Sequence, residues 1–324
     1  MYITMKTYRY ISLATLVLSL AACSQSEDFA SQSNSDAVRI NATIGTMPQS
    51  RIDYLNDGEV TFTKDDQIRV INQTRKNAGK DKCDAMYKYS QNADTDRLEW
   101  IASSKTDYVV WEGTDLNTFY GVYPHTANYD NFTIPTAQSM INSVDWMTAT
   151  TTSAKPGPIN LTFMHRLAMV TVQVTKKNDE LSNGGSFSSV QIYTKGTEVT
   201  VSYGAGTDGT DVYKLQNGEC GITPLIKGQT SDYPTFTAIV APVAYNETDK
   251  FMSFNFGEYN KTQSFTVLAK APQLREGLKP GKHYTFNLTV GKEKVEINSV
   301  CVTDWEDGGT INGGVAEEVI VPES

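Results

Sequence analysis

Cys23 is the residue with the plainest chemical assignment in this sequence of 324 residues. It ends the stretch Leu20-Ala21-Ala22-Cys23, which closes a leader carrying Lys6, Arg9 and a ten-residue apolar run from Ile11 to Leu20. Small residues before a cysteine are what a bacterial lipoprotein signal peptidase accepts, and the freed amino end of Cys23 can then carry acyl chains. The apolar run is too short for a permanent membrane-spanning helix. The expectation is a leader over 1–22, removed on export, and a mature chain starting at a lipidated Cys23 and tethered by that lipid to the outer membrane.

Other candidate chemistry is weaker. Gly204-Ala205-Gly206-Thr207-Asp208-Gly209 matches the dinucleotide pattern G-x-G-x-x-G, but that pattern needs a following helix to receive a pyrophosphate. Here Asp211-Val212-Tyr213-Lys214-Leu215 follows and alternates like a strand, so a glycine-rich hairpin loop is expected. The three histidines, His125, His165 and His283, lie far apart and outside any zinc spacing. His165 reads as a packed or hydrogen-bonded imidazole. No G-x-S-x-G elbow occurs. Asp94-Thr95-Asp96 and Asp208 to Asp211 read as solvated turns that could at most hold calcium loosely. No catalytic residue, cofactor or metal is therefore expected, and the chain is not read as an enzyme. Seven Asn-x-Thr triplets, at Asn41, Asn72, Asn131, Asn160, Asn246, Asn260 and Asn287, read as by-products of an Asn- and Thr-rich composition.

Composition sets further bounds. Without 1–22 the chain keeps 26 basic against 37 acidic residues, a net charge of −11, and such a surface repels nucleic acid. Once Cys23 is acylated, only Cys83, Cys220 and Cys301 remain, so at most one disulfide can form. Residues 23–36 are polar and read as a flexible tether.

Beyond the tether, strand signals recur every ten to fifteen residues, with Gly, Asn, Asp and Pro between them and no sustained helical period. Candidate strands include 38–45, 65–71, 85–89, 98–102, 117–123, 161–163 and 169–175, then 189–193, 198–203, 212–215, 235–240, 251–256, 263–268, 283–290 and 295–302. The expected fold is all-β, with two β-sandwich domains in tandem. Residues 149–160, rich in Thr, small residues and Pro, suggest the division, giving domains 37–158 and 159–324. Trp100, Tyr108, Trp111 and Phe119 to Tyr123 could stack on sugars, although alternation sends most of them inward.

Two end segments stand out. Val38, Ile40, Ala42 and Ile44 alternate with polar residues, as in a half-buried strand. The following loop carries Pro48 and an accessible-looking Arg51. Loss of the peptide up to Arg51 would take the first strand away and open a groove worth on the order of 5 kcal/mol of apolar burial. An unpaired strand edge of that kind invites a strand from another chain. At the other end, a glycine-rich piece leads into 311–321, where Val315, Val319, Ile320 and Val321 could form a donor strand, interrupted by Glu317 and Glu318. A tail strand returning to its own domain is the equal alternative.

Taken in order, the motifs resemble a known family. The leader, the first alternating strand, the arginine loop and Asp65-Asp66-Gln67-Ile68-Arg69-Val70 resemble the opening of fimbrillin-type (Mfa-like) proteins of Bacteroidales. The acidic pair Glu27-Asp28 after the cysteine is similar to surface-export signals in Bacteroides-like bacteria. Phe119 to Pro124 and Phe163 to Ala168 are similar to the family's middle motifs; Ala238 to Pro242, Leu278 to Tyr284 and Val300 to Trp305 resemble its closing ones. The resemblance implies two transthyretin-like sandwiches and a stalk-type subunit of a type V pilus at the cell surface. It also implies cleavage by an arginine- or lysine-specific protease in the loop after the first strand, which makes Arg51 the candidate cut site and Arg39, inside the strand, its rival, then polymerisation with other pilus subunits by strand exchange. A surface lipoprotein that binds glycans or host surfaces as a monomer, or an anchor or tip subunit, is the alternative.

Overall fold

The computed structural model describes residues 36–45, 62–93, 95–177, 181, 185–227, 234–258, 261–292 and 294–305. These residues form nineteen strands and little helix. The first half holds β1 (Arg39–Ile44), β2 (Gln67–Asn72), β3 (Asp84–Gln91), β4 (Leu98–Ala102), β5 (Asn117–Tyr123), β6 (Asn131–Thr133), β7 (Met147–Ser153) and β8 (Pro158–His165). The second holds β9 (Ala168–Lys176), β10 (Ser186–Thr194), β11 (Glu198–Ser202), β12 (Val212–Gln216), β13 (Cys220–Ile222), β14 (Leu225–Lys227), β15 (Thr235–Val240), β16 (Lys250–Glu258), β17 (Lys261–Leu268), β18 (Lys282–Val290) and β19 (Val295–Asp304). Two one-turn helices, α1 (Gln73–Asn77) and α2 (Pro272–Glu276), and a 3-10 turn at Ile141–Val144 complete the set.

A seven-stranded sheet, ordered β1-β8-β7-β5-β2-β3-β4, encloses the first core. That core includes Ile68, Val70, Tyr87, Trp100, Trp111, Phe119, Met147, Ile159, Leu161 and Phe163. Alternation explains the arrangement: in β8 each odd-numbered residue from Ile159 to His165 is buried and each even one exposed. The second core lies among a five-stranded sheet, β14-β15-β9-β18-β19, a four-stranded sheet, β13-β10-β16-β17, and a three-stranded sheet, β12-β11-β6. Phe187 anchors it, packing edge-on against Phe236, Phe254 and Phe256. The central strand β9 is buried at every position from Ala168 to Val172, as a strand covered on both faces must be.

The all-β expectation holds, but 149–160 is not a linker. Its threonines form β7, since β-branched side chains suit a pleated sheet, and its prolines fall at 156 and 158, in the turn and at the first position of β8. The division expected at 158/159 therefore cuts a hairpin, and the two cores part after β8. The excursion between β5 and β7 belongs to the second core: β6 pairs with β11, and Ile134, Ile141, Val144 and Trp146 pack there. Gln138 stitches it down, its amide oxygen accepting from Ile239 N–H at 2.7 Å and its nitrogen donating to Ile239 C=O at 2.9 Å.

Candidate functional site

The first strand lies in a slot with two unequal walls. On one side β1 runs parallel to β8 in continuous register, from Arg39 opposite Pro158 to Ile44 opposite Phe163. Asn41 Nδ2 donates to Asn160 Oδ1 at 3.0 Å on the outer face, and Gly45 N–H closes the ladder on Phe163 C=O at 2.7 Å. The other side is held near the start of the strand. Ala37 bridges Val110, Val38 N–H donates to Val109 C=O, and Trp111 N–H donates to Asp36 C=O, both at 2.9 Å. Lys155 also pairs with Asp36.

Side-chain burial follows the alternation. Val38, Ile40 and Ile44 are 5%, 6% and 2% exposed, while Ala42 is half-buried against the same core. Arg39, Asn41 and Thr43 face solvent. Arg39 thus lies outward on a strand whose backbone is paired with β8.

The floor of the slot depends on Gly121. A β-carbon there would sit 2.6 Å from Phe163 Cζ and 3.2 Å from Leu161 Cδ1, so β5 needs glycine to let the β8 side chains pack. The partial wall at 109–111 is held by buried amides. Asn72 Nδ2 donates to Asn117 Oδ1 at 2.7 Å and to Val110 C=O at 3.0 Å, and Glu112 N–H donates to Asn117 Oδ1 at 2.7 Å. Asn72 and Asn117 are both fully buried. This network leaves no local signal in the sequence, because isolated asparagines between strands look like surface turns.

At the junction-facing end of β8 two distant motifs meet. The His165 ring stacks on Trp305, centroids 4.4 Å apart, and its Nδ1 lies 2.7 Å from Asp145 Oδ1, all three residues buried. Trp305 N–H donates to Gly281 C=O at 2.9 Å. Arg166 ties the halves together, with Nε on Thr148 Oγ1 at 2.6 Å, Nη1 on Asp211 Oδ2 at 2.9 Å and its guanidinium over the Tyr203 ring. Burial raises the Tyr203 hydroxyl above its ordinary range and pushes Tyr213 up to about 12.

Several expectations can now be placed. Val38, Ile40, Ala42 and Ile44 come together in the slot; Cys23, Arg51, Val315, Val319, Ile320 and Val321 lie outside the described residues. The glycine-rich stretch is the β11–β12 hairpin, where Asp208 accepts from Thr210 and Asp211 from Gly204 N–H and Arg166. The aromatic platform for sugars is overturned for four of its members: Trp100, Trp111, Phe119 and Tyr123 are core residues, and Tyr120 stacks on Tyr129. Among the described residues, Cys83, Cys220 and Cys301 are unbridged, no His, Cys, Asp and Glu group is placed to hold a metal, and no helix is long and apolar enough to cross a membrane.

Comparison with known proteins agrees with this architecture. A proposed cell adhesion protein from Bacteroides uniformis superposes with a TM-score of 0.57 at 20% identity, covering 83% of this chain and 98% of its own. Another from Bacteroides ovatus gives 0.54 at 16%, covering 83% and 97%. At these identities the likeness is one of fold. No curated protein matches the sequence. The family model described as fimbrillin-like matches residues 51–305, and this chain belongs to that family.

Proposed function

We propose that this chain is a structural, non-enzymatic subunit of a cell-surface type V pilus, of the stalk type. It reaches the outer membrane as a lipoprotein through Cys23 and is cut after Arg51 by an arginine-specific protease. It then polymerises with further subunits by strand exchange. Its two halves are read as transthyretin-like sandwiches in tandem, divided after β8. Family membership supports a role in assembly with other pilus subunits at the cell surface.

The observation that carries the finer reading is the placement of β1. It is the first described strand and an edge strand, yet with Val38 just before it β1 supplies three buried side chains to the first core. Cleavage at Arg51, seven residues beyond Ile44, would release β1 and Cys23 in one peptide. The vacated slot loses about 1.5 to 3 kcal/mol for each fully buried aliphatic side chain and exposes one edge of β8, so a replacement strand is favoured. The tail Val315 to Val321 of a neighbour is the proposed replacement. Amino-terminal sequencing of the polymer subunit tests the cut, with Ile52 as the expected first residue. Deletion of 311–324 is expected to abolish polymers and leave folded monomers; polymers of normal length from that deletion would refute tail donation.

A further inference from the structure

Among the described residues the chain passes between the two cores three times, and all three passages lie at one level of the first sheet. Tyr123 packs in the first core while Val122 and Ala127 pack in the second; Trp146 packs in the second and Met147 in the first; Phe163 packs in the first and Leu167 in the second. The passing strands lie side by side, with Tyr123 paired with Met147 and Met147 with His165. Thr148 likewise joins Val122 to Met164, and Arg166 N–H donates to Trp146 C=O at 2.9 Å. A hinge needs a few loop or terminal residues that can absorb a change of φ and ψ. These passages offer none, because their backbone is paired across the sheet and Val122, Trp146, Met147, Phe163 and Leu167 are fully buried.

Two clasps close over this seam from the second half. Trp305, just past β19, stacks on His165 at the end of β8, and His165 Nδ1 lies 2.7 Å from Asp145 Oδ1. By alternation His165 shares the inward face of β8 with Phe163. The second clasp is on the outward face, where Thr148, Thr150 and Tyr120 alternate with the core residues Met147, Ala149 and Phe119. Arg166 holds Thr148 Oγ1 at 2.6 Å and Asp211 Oδ2 at 2.9 Å. The Tyr203 hydroxyl lies 3.1 Å from Thr148 Oγ1 and donates to Tyr129 C=O at 2.5 Å. Tyr129 in turn stacks on Tyr120, ring centroids 4.0 Å apart, and its hydroxyl is bonded to Thr150. The β11–β12 hairpin is thereby fixed to β5 and β7, and the end of β19 to β8.

We infer that the two halves are one rigid and cooperative unit, in which three strands side by side carry both cores and the clasps at His165 and Arg166 oppose bending in either direction. Halves joined by an exposed linker move relative to one another by default and open separately. Here a tilt towards one face of the first sheet pulls Trp305 from His165, and a tilt towards the other pulls Asp211 and Tyr203 from Arg166 and Thr148. This coupling does not depend on strand exchange. Its consequence for a subunit of a fibre is that load passes from one half to the other without a hinge.

The test follows the unfolding of each half separately in the intact, uncleaved chain. Pulsed hydrogen–deuterium exchange across a urea series, read by mass spectrometry on peptides from β3 in the first core and β18 in the second, gives a midpoint for each. One shared midpoint is expected, and Phe286→Ala on β18 is expected to lower it equally at β3 and β18. A β3 midpoint that keeps its original value while that of β18 falls overturns the inference. Where Phe286→Ala does not fold, Val300→Ala on β19, also in the second core, gives the same reading. Arg166→Ala, which opens the outward clasp, is expected to separate the two midpoints. Midpoints that fall together in that variant overturn the part given to Arg166 and leave the coupling to the paired strands.

Discussion

β1 and β18 make the same kind of contact and differ in almost everything else. Each is an alternating strand that runs parallel to a strand distant in sequence, β1 along β8 and β18 along β9. β18 is also paired along its whole length with β19 on its other side. Among the described residues β1 has no such second partner, only the bridge of Ala37 to Val110 just before its start. Both feed a core, β1 through Ile40 and Ile44 with Val38 just before them, β18 through Tyr284, Phe286, Leu288 and Val290. The contrast separates burial from permanence. A strand deep in a core can still be removable if it is at a sheet edge and leaves with a terminal peptide, whereas an equally buried strand flanked on both sides cannot leave without dismantling its sheet.

Substitutions can break that comparison. Phe286→Ala on β18 empties a fully buried site and is expected to cost about 3–5 kcal/mol, read by denaturant unfolding. The loss should be the same before and after removal of the amino-terminal peptide. Ile40→Ala on β1 should cost about 2–4 kcal/mol in the intact chain, but nothing in the subunit isolated from polymers, because the strand has left. A persistent loss there would mean that β1 stays. Gly121→Ala drives a methyl group into Phe163 on the floor of the slot and is expected to cost about 1–3 kcal/mol by overpacking. It should also speed proteolytic release of the peptide, and an unchanged release rate would show that β8 does not control β1.

The smallest effect is one of pH, and it belongs to the fixed strand. His283 on β18 is bonded through Nε2 to Thr171 Oγ1 at 2.8 Å, and burial pushes its pKa down to about 4. The unfolded chain takes up that proton near pH 6.5, so between the two values it binds more protons than the folded one. The contribution is complete above pH 6.5 and is lost as pH falls towards 4, by up to about 2 kcal/mol after allowance for the ring's partial exposure. His283→Gln should flatten unfolding free energy across that window, and an unchanged slope would assign the loss to other groups.

Much of this was legible in the sequence, because alternation is a local signal. Leu98–Ala102, Asn117–Tyr123 and Thr235–Val240 carry the expected bounds, and along 38–44 the buried and half-buried residues alternate with exposed ones. What pairs with β1 was not legible: Asn41 meets Asn160 across 119 positions, and no local pattern encodes that contact. β7 was hidden by its threonines, which suit both a strand and a loop. Gln138, Asn72 and Asn117 were hidden because a buried amide that satisfies backbone groups looks, in sequence, like any surface amide.

The central claim is that β1 is a removable occupant of its slot. It is tested most directly by digesting the intact chain with an arginine-specific protease, then running a denaturing gel without boiling and weighing the released peptide. Release of a fragment ending at Arg51, together with a ladder of oligomers that Arg51→Ala suppresses, is the predicted result. Retention of β1 by a chain that runs only as monomer after complete cleavage at Arg51 would contradict it.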